Sequence, residues 1–269
     1  MNAIPKRIIQ TGKSRDLPML ARASAASIRA LNPEFEYLFF DDGDVERFID
    51  AQFPQHRRMF DSFPYRIQKY DFFRYLAVYH HGGFYFDLDI FLARGVSELC
   101  ARGCVLPFEE LSMHSFLRDS FGMDWEVGNY AFGAAPGHPF IAAVIENCVR
   151  AQREPNWSSA MWRPFPRLFR DDFYVLDTTG PGLVSRTLAE YPATAPSVHV
   201  LFPSDVRDEK HWHHFGEFGV HMQEGGWRDA KSLWRRKLGS MWETRQRAAV
   251  LASAQHRGPV RTLAFARPS

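Results

Sequence analysis

A chain of 269 residues with 45% hydrophobic and 24% charged residues can bury a core, which excludes a disordered or low-complexity protein. A formal charge of +2 is too small to advertise nucleic acid as a partner. Cys100, Cys104 and Cys148 lack paired spacing, which excludes a disulfide framework and a zinc site and fits a reducing compartment.

The opening residues Met1 to Gln10 have no apolar run of signal-peptide length, and no stretch is long and uncharged enough to span a bilayer. A cytoplasmic protein is the expectation, peripheral at the inner membrane face at most. Arg7 to Gln10 reads as a first strand, turning at Thr11-Gly12. Leu17 to Leu31, rich in Ala, Leu and Arg, predicts a helix that Asn32-Pro33 stops. Phe35 to Phe40 predicts a second strand. Asp44 is placed to cap the helix after it, with Val45, Phe48 and Ile49 along the buried side and Pro54 at the end. Strand–helix alternation of this kind implies an α/β domain on a largely parallel sheet, with ligands at the carboxyl ends of the strands. Tyr65 to His81 predicts a further helix, closed by Gly82-Gly83.

Phe84 to Leu92 then surrounds two carboxylates with seven apolar or aromatic residues and predicts one buried strand that carries charge. Residues i and i+2 of a strand share a face, so Asp87 and Asp89 would project side by side, their Cα atoms roughly 7 Å apart. Two such carboxylates repel and lose solvation unless something compensates them. A hard divalent cation does so while keeping positions open for phosphate oxygens. The plainer account of an isolated Asp-x-Asp is a helix cap or a partner for an arginine. Here Asp71 and Arg74 share a helix face one turn upstream, within reach of the acidic pair, while Phe72, Leu76 and Tyr79 face the core. Later segments predict a strand over Asn129 to Gly133, a helix over Pro139 to Gln152, a strand over Phe173 to Leu176, and a helix after Gly180-Pro181-Gly182 running through Leu188.

Taken jointly, Asp71-Phe72-Phe73-Arg74-Tyr75 and Tyr79-His80-His81-Gly82-Gly83-Phe84-Tyr85-Phe86-Asp87-Leu88-Asp89 resemble the glycosyltransferase sugar-binding region with a DXD motif, glycosyltransferase family 32. That family includes fungal α-mannosyltransferases and bacterial enzymes of polysaccharide biosynthesis, and its core is similar to the glucosylating domains of clostridial toxins. Ile4 to Gln10, Asn32 to Tyr37 with Asp41-Asp42, Asn129 to Phe132, Ala135 to Pro139, Thr179-Gly180-Pro181, His221 and Gly226-Trp227 extend the likeness over residues 4 to 230.

The resemblance implies a GT-A fold over residues 1–230, Mn²⁺ or Mg²⁺, and a UDP- or GDP-sugar donor. It implies that Asp89 ligates the metal, that Asp87 meets the metal, its water or the donor, and that His221 is a further ligand. His211, His213 and His214 stand nearby as alternatives. Asp71 and Arg74 would hold the donor sugar, with a structural ion pair as the plainer account. Gln10 and Asn129 join the donor site, and Trp227 would close over the diphosphate. The chain departs from the family pattern in having Gly226 before Trp227, where Ser is usual, and Gln10-Thr11-Gly12 near the first turn, where Trp is usual.

Residues 231–269 form a basic tail. Leu233, Trp234, Leu238, Met241 and Trp242 alternate with Lys231, Arg235, Arg236, Lys237 and Arg245. A helix packed on the domain is the expectation, and contact with an anionic membrane surface near a lipid-linked acceptor is the alternative. The implied reaction is sugar transfer to a hydroxyl of a glycan, lipid or protein with retention of configuration. Two rivals remain at this stage. One is a haloacid-dehalogenase-type phosphatase with Asp87 as nucleophile, against which Ile90-Phe91-Leu92 speaks by continuing apolar where that motif turns. The other is a nucleotide-sugar-binding module without turnover.

Overall fold

The computed structural model describes residues 3–223, 233–253 and 260–262. The chain begins with β1 (Arg7–Thr11), α1 (Met19–Leu31) and β2 (Glu36–Phe40), followed by α2 (Asp42–Gln52), α3 (Arg57–Ser62) and α4 (Arg66–His81). Next come β3 (Gly83–Phe86), β4 (Ile90–Leu92), β5 (Cys104–Leu111), α5 (Ser115–Phe121), β6 (Trp125–Val127) and β7 (Ala131–Ala134). The remainder is α6 (Pro139–Arg153), α7 (Pro155–Ser159), α8 (Arg170–Thr178), α9 (Pro181–Glu190), β8 (His199–Leu201), β9 (His214–Phe215), β10 (Gly219–His221), α10 (Leu233–Ser253) and β11 (Val260–Thr262). The main sheet runs β11-β8-β5-β7-β3-β1-β2 with β6 paired to β5, and β4-β10-β9 form a separate small sheet. β1, β2 and β3 are parallel, whereas β7 runs antiparallel between β3 and β5. This mixed α/β sheet is of the kind expected for a GT-A fold, and it sends the carboxyl ends of β1, β2 and β3 to one edge.

Local chemistry explains how the chain reaches that edge. α2 is capped by Asp41, whose carboxylate accepts from the Asp44 N–H while Asp44 accepts from the Asp41 N–H. Asp44 therefore closes a capping box from the third helical position and is not the cap residue itself. α4 threads the core: Phe72, Phe73, Leu76, Ala77 and Val78 are fully buried, and so are Asp71 and Arg74. Its chain then turns through Gly82 and Gly83, both at positive φ. A Cβ on Gly83 would lie 2.6 Å from the Arg7 carbonyl oxygen, so only glycine lets β3 start flush against β1.

Two expectations need correction. Phe84 to Leu92 is not one strand. β3 ends at Phe86, Asp87 to Asp89 form a turn closed by the Ile90 N–H on the Asp87 carbonyl at 3.2 Å, and β4 joins the small sheet. A continuous strand would have carried both carboxylates into the sheet's packing, whereas the turn carries them to its edge. Phe173 to Leu176 is helical, within α8, because a short apolar run fits either element and packing decides. That packing includes Asp177, which meets buried His114 at 3.1 Å, with Glu126 on the other ring nitrogen at 2.8 Å. Burial disfavours charge on His114, yet Asp177 and Glu126 outweigh it and raise its pKa well above the ordinary value.

α10 docks on the same body. Trp242 packs on Phe165, Phe169 and Phe173, Val250 enters the main core, and Arg247 pairs with Glu110 at 2.9 Å. β11 extends the sheet beside β8. Among the described residues no helix is long and apolar enough to cross a membrane. Lys231 lies outside the described residues, and the side chains of residues 233–238 are likewise not described.

Candidate active site

A cavity of about 420 Å³ opens at the carboxyl edge of the parallel strands, and its wall includes Asp71, Arg74, Asp87, Asp89, Asn129 and His221. α4 supplies the floor. Arg74 bridges Asp71 at 3.0 Å and Asp87 at 3.1 Å and donates to the Asn129 carbonyl at 2.8 Å. Its guanidinium stacks over the Tyr85 ring at 4.8 Å. Burial disfavours the Arg74 charge, but Asp87, Tyr85 and Asp71 raise its pKa further still. Asp71 is pushed up to about 6 by burial, although Arg74, Thr179 and Asn129 all favour its ionised form. Thr179 donates to one Asp71 oxygen at 2.9 Å and the Asn129 amide to the other at 3.2 Å. Asn129 thus positions Asp71 while facing the cavity.

Asp87 is held at both carboxylate oxygens, by Arg74 and by the Tyr85 hydroxyl at 2.7 Å. Its backbone N–H continues the β3–β7 ladder onto the Tyr130 carbonyl at 2.8 Å. Gln10 does not reach the cavity. It is fully buried, accepting from the Tyr37 hydroxyl at 2.8 Å and donating to the Asp87 carbonyl at 3.3 Å. The Gln10 amide instead ties Tyr37 to the backbone under the acidic turn.

The β9–β10 hairpin brings in His221, opposite Ile90 across the β10–β4 pairing. The His221 Nε2 stands 3.2 Å from an Asp89 carboxylate oxygen, and Tyr130 stacks on the imidazole at 4.3 Å. Ligand atoms of Asp87, Asp89 and His221 all lie within 4.8 Å of one another. Adjacent ligands of a six-coordinate ion with bonds near 2.1 Å sit about 3 Å apart, so this oxygen–nitrogen set fits a small divalent cation. His221 also leaves its Nδ1 buried without a hydrogen-bond partner. Of the other three histidines in its region, His213 pairs with Glu109 and Glu110, exposed His211 with Asp208, and His214 lies in β9. Trp227 lies outside the described residues.

Sequence reasoning missed Glu109, Tyr85 and Tyr130. Glu109-Glu110 close the apolar run Cys104 to Phe108, the same acidic-strand-end signal that drew attention to Asp87. The turn lies within Asp87 to Asp89, and Ile90-Phe91-Leu92 after it continues as the apolar strand β4.

Comparison with known proteins agrees with this geometry. Residues 18–106 match the family described as glycosyltransferase sugar-binding region containing DXD motif. Inositol phosphoceramide mannosyltransferase 3 of Schizosaccharomyces pombe is 32% identical over 55% of this chain and 38% of its own length. Inositol phosphoceramide mannosyltransferase 2 of the same yeast is 28% identical over 76% and 54%. Mannosyl phosphorylinositol ceramide synthase CSH1 of Saccharomyces cerevisiae is 28% identical over 76% and 49%. The chain therefore spans only about half, or less, of these curated relatives. The solved PaToxG glycosyltransferase shares the fold, with a TM-score of 0.50 and 15% identity over 70% of each chain. Residues 18–106 thus match a glycosyltransferase sugar-binding region of the DXD type, in a chain that shares the fold of a solved glycosyltransferase.

Proposed function

We propose that the chain transfers a sugar from a UDP- or GDP-sugar to a hydroxyl of a glycan or lipid-linked acceptor, with Mn²⁺ or Mg²⁺ at Asp87, Asp89 and His221. The observation that carries this reading is the convergence of two carboxylates and an imidazole within 4.8 Å at a parallel-sheet edge, against a buried Asp71–Arg74 pair. A cation held there supplies positive charge to a departing diphosphate. Arg74 fixes the orientation of Asp71 and Asp87. Asn129, Arg74 and Thr179 use three of the roughly four acceptor positions of the Asp71 carboxylate, leaving one for a sugar hydroxyl. Retention follows if the acceptor hydroxyl attacks on the face the diphosphate leaves. The anomeric carbon–phosphate oxygen bond breaks, the carbon–acceptor oxygen bond forms, and the proton passes to the leaving phosphate.

The mannosyltransferase names of the fungal relatives support mannose as the sugar and an inositol-phosphate-bearing lipid as an acceptor class. A lipid-linked acceptor would place the reaction at a membrane surface, and a polysaccharide acceptor would not require it. A thermal-shift and calorimetric screen of UDP- and GDP-sugars, GDP-mannose included, tests the proposal with and without Mn²⁺. A metal-dependent hit followed by turnover supports it. Binding without transfer or hydrolysis would point to the inactive module, and no response to any donor would refute the reading.

A further inference from the structure

Glu109 stands apart from the other groups on the cavity wall. Phe108 pairs with Val127 and Leu111 with Trp125, so three steps along β5 match two along β6 and one residue bulges. Bulges re-aim side chains and gather beside active sites. Consecutive strand residues normally point to opposite faces, yet here Glu109 and Glu110 both approach His213, at 2.9 and 3.9 Å. Their fates then differ. Glu110 is neutralised by Arg247, whereas Glu109 lines the cavity beside Tyr130 and His221.

The Glu109 carboxylate is held on one side only. Its Oε1 meets the His213 Nδ1 at 2.9 Å, while its Oε2 is buried with no hydrogen-bond partner. His213 adopts φ +58°, unusual for a residue with a side chain. Its N–H donates to the Glu109 carbonyl at 2.9 Å, and its carbonyl accepts from the His221 N–H at 3.1 Å. This backbone bridge fixes Glu109 relative to His221 without satisfying the remaining oxygen. The unpartnered oxygen lies against Gly128, and a small shift of the side chain toward the cavity it lines would let an entering donor satisfy it. Glu109 is not part of the Asp87, Asp89 and His221 cluster, which argues for an O–H donor over the cation.

Resting on the sugar-transfer reading, we propose that the Glu109 Oε2 accepts a hydrogen bond from a hydroxyl of a sugar ring bound beside Asp89 and His221. Glu109 is then a specificity-determining contact. The hydroxyl belongs either to the transferred sugar or to the acceptor, and the two sources separate experimentally.

Glu109→Gln is the informative variant, because the amide oxygen still accepts from His213 while the unpartnered oxygen becomes an NH₂ donor. With the full chain and Mn²⁺, calorimetry would compare UDP and GDP with their sugars. Donor hydrolysis and transfer to methyl α-mannoside or glycerol would be followed in parallel. Nucleoside-diphosphate affinity should stay within about twofold of wild type, while one sugar-dependent readout falls about tenfold or more, as loss of a hydrogen bond to a charged group does. A loss in nucleotide-sugar affinity identifies the donor ring, and a loss in transfer with hydrolysis unchanged identifies the acceptor. Equal behaviour in every assay, or a parallel fall in nucleoside-diphosphate affinity, would overturn the assignment. Deoxy analogues tested on wild type give a second route that needs no folded variant. One analogue must lose a similar factor, and in Glu109→Gln that loss must vanish. A wild-type chain that binds no nucleoside diphosphate would instead sink the donor reading itself.

Discussion

The two walls of the cavity are built in opposite ways. On the α4 wall, Asp71 and Arg74 are enclosed in the core, and every link in the Asp71–Arg74–Asp87 chain spans no more than 13 residues. On the hairpin wall, His213 and His221 come from a hairpin whose strands have two and three residues, and they meet Glu109 of β5 from more than 100 residues away. The first wall is part of what folds the protein. The second is assembled upon it, so damage there should reach binding before it reaches stability.

Four substitutions would break or sharpen that contrast. Arg74→Ala should have the largest effect on the fold, since it strands the buried Asp71 carboxylate and unpairs Asp87. Urea unfolding should show a loss of about 3–5 kcal/mol, and a loss under 1 kcal/mol would dissolve the distinction. Asp89→Asn should lower turnover by about a thousandfold, the worth of several kcal/mol of charge stabilisation. Its melting temperature should stay near wild type, and retained turnover would remove Asp89 from the proposed metal set. His221→Ala should weaken Mn²⁺ binding by about tenfold or more while sparing the fold. Unchanged titration by Mn²⁺ would exclude the imidazole as a ligand.

The smallest effect concerns Asp71. Burial lifts its carboxyl from 3.8 to about 6, so folding favours the protonated form. Its contribution to stability is full below the unfolded value and is lost as pH rises through about 6. Asp71→Asn mimics the protonated state, so its melting temperature relative to wild type should be a few degrees more favourable at pH 8 than at pH 5. A difference that does not vary with pH would mean that Arg74 fully offsets the burial of the anion.

The α4 wall was legible in the sequence because its spacings are local. Asp71 and Arg74 fall one helical turn apart, and a glycine pair leads straight into Asp87. The hairpin wall was legible only in part. His221 was singled out by resemblance, but nothing local told it from His211, His213 or His214, since pairing of β10 with β4 and the Tyr130 stack decide the matter. Glu109-Glu110 carried the strand-end signal, but which of the two lines the cavity depends on a bulge, which slips the alternation that strand reasoning uses. The strand predicted over Phe84 to Leu92 failed for a related reason. Apolar content marks burial but does not say where one sheet hands the chain to another.

Arg247 gives the far end of the chain a stake in the cavity. It reaches from α10 to Glu110, immediately beside Glu109, and burial already lifts the Glu110 carboxyl to about 7. Trimming the polypeptide ahead of residue 233, as is commonly done to obtain crystals, would take away that guanidinium and the Val250 anchor together. Affinity tags and shortened forms are therefore better placed at the opposite terminus, and a C-terminally cropped protein is a poor surrogate for assays of sugar selectivity.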